Sequence, residues 1–299
     1  MGALYNDRLE SYRQEIEEAL FSYLPIPEEA PQKTVYEVMN YACVGGGKRL
    51  RPVLVMEFCR LCGESPAKAI PFACAIEMVH SYSLIHDDLP CMDNSPLRRG
   101  RPSAHAAYGE DMALLAGDGL LTRAFEVMLA EENQRELPPQ RVLRAAFALA
   151  DAAGAGGMVG GQVIDLQSEG KSIDLPALET LQRGKTAALL MAACEMGCHI
   201  GGGGEAEIAA ARRFGEELGL CFQIVDDILD VTSTPEELGK PVGNDEKSRK
   251  VTYVSLLGRE KALQLAAERT EKAVDALQVF GEPGKALRSL ARALLQRSC

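Results

Sequence analysis

Apolar side chains recur three and four residues apart through most of this chain, and that period admits little except helix. Val38, Tyr41 and Ala42, then Ile76, Val79 and Leu84, then Leu143, Ala146, Phe147 and Ala150 each mark one helical face. Long stretches between them are almost entirely Ala, Leu, Glu, Arg and Met, which lose little freedom on becoming helical. No alternation of useful length argues for a strand, and no hairpin signal stands out. Gly or Pro interrupts the pattern at 24–33, 89–103, 133–140, 154–176, 200–205, 232–250 and 280–284. None of these breaks is long or biased enough to be a flexible linker. Residues 1–299 therefore read as a single all-α domain, one large bundle of about ten helices.

Charge narrows the class. Lys and Arg total 32 against 43 Asp and Glu, a net charge of −11, so nucleic acid and anionic lipid are poor partners. The start is polar and acidic without a signal-length apolar run, and no 18 apolar residues run together, so no membrane insertion is expected. The terminal Ser-Cys is not a prenylation box. Cys59 with Cys62, and Cys194 with Cys198, have spacings that could serve zinc, but both pairs lie in apolar segments without turn-forming knuckles. Buried reduced thiols and a cytoplasmic location are the expectation.

Two carboxylate clusters carry the chemistry. In HSYSLIHDDLPCMDN, Asp87 and Asp88 close a strongly apolar helix, and Pro90 ends it, so Asp93 can fold back from a loop. In FQIVDDILDVT, Asp226 and Asp230 are four apart on one helical face, with Asp227 beside them. Three carboxylates within one turn repel each other, and a divalent cation would remove that cost. Oxygen ligands without His or Cys suggest Mg²⁺. A solvated acidic face could explain one such cluster, but two at the ends of apolar helices are harder to dismiss. A di-iron bundle would need Glu-x-x-His spacing, which the four histidines do not provide.

Cations lie beside both clusters. GGGKRLRP carries Lys48, Arg49 and Arg51, though it is not a P-loop. LRRGRP supplies Arg98, Arg99 and Arg101, and LGKPVGNDEKSRKVTY supplies Lys240, Lys247, Arg249 and Lys250. LQRGKTAAL places Lys185 and Thr186 at what reads as the opening of an apolar helix, where the dipole favours an anion. Paired Arg beside metal-binding carboxylates suits polyphosphate. The strongest candidates are Lys48, Arg51, Arg98, Arg99, Lys185 and Lys240. A cationic, metal-binding mouth on an uncharged helical interior suits a diphosphate head with a hydrocarbon tail. The reaction would be ionisation, with the departing diphosphate stabilised and an allylic cation left in a dry pocket.

Together DDLPCMD, the RRG after it, GGGKRLRP, the Lys-Thr pair, FQIVDDILD and GKPVGNDEKSRKVTY resemble the isoprenyl diphosphate synthase family, from about Thr34 onward and in family order. The resemblance implies an all-α bundle with a central apolar cavity, usually a homodimer. Its reaction joins isopentenyl diphosphate head-to-tail to an allylic diphosphate. It implies that Asp87, Asp88, Asp93, Asp226, Asp227 and Asp230 hold three Mg²⁺, with Mn²⁺ as a substitute. Arg98, Lys185 and Lys240 would touch the allylic diphosphate. Lys48, Arg51, His80 and Arg99 match the isopentenyl diphosphate positions, and Thr186 and Gln223 lie near the reacting carbons. The chain departs from the pattern at Ser95 and Pro96, where relatives carry further acids. A terpene cyclase, or a non-catalytic synthase subunit, is the rival class.

Product length should depend on residues just before the first cluster. Spacing puts Ser83 one turn before Asp87, whereas Tyr82, five residues upstream, lies off that line. In the resembling family a bulky residue at the fifth upstream position sets the floor. Tyr82 there, with small Ser83 above it, favours a fifteen-carbon farnesyl product over a twenty-carbon geranylgeranyl one.

Overall fold

In the computed structural model, which describes residues 6–44, 46–232 and 250–296, the helical period of the sequence becomes helix nearly throughout. The order is α1 (Asp7–Tyr23), α2 (Lys33–Cys43), α3 (Leu50–Leu61), α4 (Ile70–Asp87), β1 (Leu97–Arg98), β2 (Arg101–Pro102), α5 (Ala104–Tyr108), α6 (Glu110–Met128), α7 (Glu131–Glu136), α8 (Pro139–Ala153), α9 (Met158–Ser168) and α10 (Leu175–Gln182). A single π-helical turn, Arg183–Ala187, leads into α11 (Ala188–Gly201), α12 (Glu205–Thr232), α13 (Tyr253–Leu257), α14 (Arg259–Ala276) and α15 (Lys285–Leu295). The expected all-α architecture is the observed one.

The most apolar segments become the innermost helices. α4 is buried on every side from Phe72 to Val79, and α11 is buried along most of its length, so neither shows a polar stripe. α3 packs against both, α6 covers α4, and α8 and α12 flank α11. Outer helices keep the amphipathic pattern. α8 turns Val142, Ala145, Ala146 and Leu149 inward and leaves Leu143 and Phe147 in solvent. Phe58 of α3 contacts Phe214 and Phe280, both with centroids 5.6 Å away. Burying one such ring is worth about 1.5–3 kcal/mol.

Several boundaries differ from the sequence reading. The Gly-rich stretch 154–176 contains α9, because the glycines of GGMVGG let that helix lie on neighbouring backbone. Residues 133–136, read as a break, belong to α7. LRRGRP forms a two-residue antiparallel ladder, pairing Leu97 with Pro102 and Arg98 with Arg101. Its turn residues Arg99 (φ 54°) and Gly100 (φ 76°) are both left-handed, the turn that matches strand twist. Lys185 and Thr186 do not open a helix. α10, the π turn and α11 run on without a break, so no free helix N-terminus is available there.

The stretch 139–168 is long and apolar enough by composition to cross a membrane, with 44% of its most apolar window buried. It is two helices separated at 154–157, each shorter than the roughly 20 residues a span needs. Cys59, Cys194 and Cys198 are buried free thiols, and among the described residues no three His, Cys, Asp or Glu side chains converge as a ready metal cage.

Candidate active site

The first carboxylate cluster sits at the C-terminus of α4, where the backbone carbonyls already make the local potential negative, and the second lies in the last described turns of α12. Anions there need cations to answer them. Asp87 is the last residue of α4 and Asp88 caps it. The chain then turns back on itself. Asp93 N donates to Asp87 O at 2.9 Å and Ser95 N to Asp88 O at 3.2 Å, with Asn94 left-handed at φ 48°. This turn closes on backbone hydrogen bonds and needs no further acids at Ser95 and Pro96.

Each carboxylate of the first cluster meets a partner. Gln162 Nε2 donates to Asp87 Oδ1 at 2.6 Å, and Lys185 Nζ lies 3.9 Å from the same oxygen. Burial pushes the Asp87 carboxyl above its ordinary pKa, against the pull of Lys185. Asp88 is 2% exposed and forked by the Arg98 guanidinium, whose Nε donates to Oδ2 at 3.0 Å. Asp88, expected among the metal ligands, is thus committed to an arginine from the hairpin. Lys250 Nζ reaches Asp93 Oδ1 at 3.2 Å.

α9 brings in two residues the sequence reading did not single out, Gln162 and Asp165. They are three apart and share a helical face, which was the available signal, but the surrounding glycines concealed the helix. A Cβ on Gly161 would fall 2.1 Å from Lys185 N, so only glycine allows α9 to approach the π turn this closely. Asp165 Oδ2 then accepts from Lys185 Nζ at 2.6 Å and from Lys250 Nζ at 3.2 Å. Burial alone would raise the Asp165 carboxyl, and these two ammonium groups hold it below its ordinary pKa instead.

The second cluster ends α12. Asp227 is buried and accepts from neutral donors: Gln223 Nε2 at 2.9 Å and Tyr253 N at 2.8 Å. Asp226 is half-buried one residue before it. Asp230 is 5% exposed, and its Oδ1 has no hydrogen-bond partner among the described residues. Thr186 Oγ1 lies 3.3 Å from Gln223 Oε1. A chain of contacts therefore runs from Asp87 through Lys185, Thr186 and Gln223 to Asp227, and Asp93, Lys185, Gln223 and Lys250 line one pocket. Lys240, Lys247 and Arg249 lie outside the described residues.

Beside the first cluster opens a cavity of about 480 Å³. Lys48, Arg51, His80, Arg98 and Arg99 face it, and Leu84, Ile85, Leu190 and Phe222 supply apolar wall. The glycine loop before α3 receives the Arg99 guanidinium, which donates to Gly46 O at 2.8 Å. At Gly47 the left-handed φ of 102° favours glycine, and a Cβ there would displace the Arg99 guanidinium, 2.9 Å away. Lys48 Nζ stands 6.0 Å over the Phe222 ring. Arg51 Nε is buried with no hydrogen-bond partner among the described residues, and burial lowers the side chain's pKa to about 10, still protonated at neutral pH. Burial, followed by the Arg51 and Arg99 charges, holds His80 well below the ordinary 6.5, so it is neutral. Arg49 also borders this cavity, but its guanidinium is committed to protein partners. It is 1% exposed and locked to Glu17 Oε1 at 2.8 Å, Glu77 Oε1 at 2.6 Å and Cys43 O at 2.7 Å. Arg101 stacks 4.2 Å over the Tyr41 ring.

Tyr82 and Ser83 lie off this cavity. Tyr82 is buried, with its ring edge-on to His86 at 5.7 Å, and His86 Nε2 lies 3.0 Å from Leu114 O on α6. Ser83 Oγ donates to His80 O at 2.8 Å.

The donor set fits Mg²⁺. Its candidate ligands are oxygens only, and one buried carboxylate oxygen has no hydrogen-bond partner among the described residues.

Comparison with known proteins follows this geometry. The polyprenyl synthetase family profile matches residues 32–294. The large subunit 1 of the chloroplastic heterodimeric geranylgeranyl pyrophosphate synthase of Arabidopsis thaliana is 47% identical over 268 residues, 89% of this chain and 71% of that protein. The farnesyl diphosphate synthase of Geobacillus stearothermophilus is 44% identical over 279 residues, 93% of both chains. Among solved structures, an FPP/GFPP synthase from Zymomonas mobilis superposes with a TM-score of 0.86 at 39% identity, covering 96% of this chain and 97% of that one. A geranyltransferase from Helicobacter pylori, complexed with magnesium and isoprenyl diphosphate, gives 0.84 at 33% identity over 99% and 98%.

Proposed function

The chain belongs to the polyprenyl synthetase family and is a prenyltransferase, and from that premise we propose that it joins isopentenyl diphosphate to allylic diphosphates and stops mainly at farnesyl diphosphate. One observation supports the reading: Lys185 and Gln223 connect the two carboxylate clusters through direct contacts, and a cationic cavity opens beside the first, which offers a place for each of two diphosphates.

Arg98 and Lys185, with Lys240 expected beside them, hold the allylic diphosphate over the carboxylates. Lys48, Arg51, His80 and Arg99 hold the isopentenyl diphosphate. Neutral His80 donates or accepts one hydrogen bond without adding charge to a wall already rich in guanidinium. Asp87, Asp93, Asp226 and Asp230 would hold Mg²⁺ together with the diphosphate, and the metal would supply charge neutralisation on the leaving group. The allylic C–O bond breaks, the isopentenyl double bond closes the new C–C bond, and a proton leaves to the released diphosphate. Leu84, Ile85, Leu190 and Phe222 keep water from the cation. Thr186 and Gln223 turn their oxygens toward each other beside Lys185, where they can face positive charge on carbon. The homodimer expected of the family is supported by apolar side chains left in solvent on α6 and α8, namely Leu114, Leu115, Leu143 and Phe147.

Product length rests on Tyr82. Its ring is braced against His86, which in turn lies on α6 at Gly117. Incubation with labelled isopentenyl diphosphate, Mg²⁺ and each allylic starter, followed by chromatography, tests the function. Fifteen-carbon product is expected, Tyr82→Ala lengthens it, and Ser83→Phe cuts it to ten carbons. Twenty-carbon product from the unaltered chain would move the assignment to geranylgeranyl diphosphate, the product named for the Arabidopsis relative. Cyclised product from farnesyl diphosphate alone would sink the synthase reading.

A further inference from the structure

Lys250 is the first described residue after 233–249, and its ammonium sits where the two halves of the mouth meet. It is 3.2 Å from Asp93 Oδ1, 3.2 Å from Asp165 Oδ2 and 3.8 Å from Glu169 Oε1, on a side chain only 18% exposed. Three residues later, Tyr253 N donates to Asp227 Oδ2. The stretch 250–253 thus ties the first cluster to the second. Asp165 Oδ2 also accepts from Lys185, so two ammonium groups share one carboxylate oxygen. The Lys250 ammonium at Asp93 repels any further cation arriving there.

We propose that Lys250 is an internal stand-in for a divalent cation: its ammonium holds Asp93 in the empty site and moves to the diphosphate when substrate arrives, which frees Asp93 for metal. The inference rests on the reading of the mouth as a metal-diphosphate site. Metal and ammonium cannot both sit against Asp93 without strong repulsion. A diphosphate supplies new acceptor oxygens for the Lys250 ammonium, leaving Asp165 to Lys185 alone. Diphosphate and divalent cation then favour each other's binding through this one side chain, and the linkage is reciprocal.

The test measures Mn²⁺ affinity of the purified full chain by electron paramagnetic resonance, with and without inorganic pyrophosphate. Lys250→Met is expected to bind Mn²⁺ without pyrophosphate roughly tenfold more tightly than the unaltered protein, and to lose about that factor from the pyrophosphate enhancement. Lys250→Gln should behave similarly, which guards against a folding defect in the Met variant, and Lys250→Arg should stay near the unaltered value. In an Asp93→Asn background the Met substitution should change nothing. Unchanged or weaker Mn²⁺ binding by folded Lys250→Met and Lys250→Gln overturns the stand-in role. If the unaltered protein binds pyrophosphate and Mn²⁺, that failure leaves the metal-diphosphate reading intact. If it binds neither, the reading of the mouth falls and takes this inference with it.

Discussion

The two carboxylate clusters are alike in sequence and opposite in circumstance. At the end of α4, each acid is answered by the protein itself: Asp87 by Gln162 and Lys185, Asp88 by Arg98, and Asp93 by Lys250. At the end of α12, Asp227 accepts from Gln223 Nε2 and Tyr253 N, and Asp230 Oδ1 has no hydrogen-bond partner among the described residues. The first cluster carries its own counter-charge before any ligand arrives, whereas the second keeps a buried oxygen open. Similar motifs can therefore contribute differently to one site, the first supplying regulated acceptors and the second a standing demand for a cation.

The largest expected effect breaks both sides equally. Asp87→Asn and Asp226→Asn should each lower turnover by about 10²–10³-fold or more with the helical circular dichroism signal intact. Near-normal turnover in either variant would reduce that cluster to an acidic surface.

Stability without metal or diphosphate sharpens the contrast, because the two ends should respond with opposite signs. Asp88→Asn takes the charged partner from Arg98, whose side chain is 37% exposed, and should cost about 1 kcal/mol in denaturant unfolding. Asp230→Asn relieves like-charge repulsion across one helical turn from Asp226 and should gain about 0.5 kcal/mol. Equal losses in both would show that the second cluster is as well answered as the first.

The smallest effect concerns pH. His80 faces the cationic cavity beside the first cluster, and its folded pKa is depressed below the ordinary 6.5. A depressed value means the unfolded chain takes up the proton first. The contribution is complete above pH 6.5 and is lost as pH falls toward the folded value. His80→Gln should flatten the loss of unfolding free energy below pH 6.5, and an unchanged slope would place His80 in a wetter, less cationic setting.

Much of the site was legible because its signals are local. The Asp pairs, the arginines of LRRGRP and the glycine loop before α3 announce themselves by residue type and spacing. Pro90 was enough to imply that Asp93 folds back. Other parts depended on packing. Lys185 read as a helix start because Gly184 normally interrupts a helix, yet contact with Gly161 keeps the turn wound. Gln162 and Asp165 were hidden in a Gly-rich stretch whose glycines serve close backbone approach. Arg49 and Arg51 cannot be told apart by composition, and only the ion pairs of Arg49 with Glu17 and Glu77 give them different tasks.

The sequence by itself determined an all-helical chain, the two acidic helix ends and the supply of cations near them, since helical period and residue chemistry act over a few neighbours. The tertiary structure decided which cation answers which acid, which oxygen is left open, and where Tyr82 points. Those outcomes depend on helices far apart in the chain approaching within a few ångströms, and no local pattern encodes that distance.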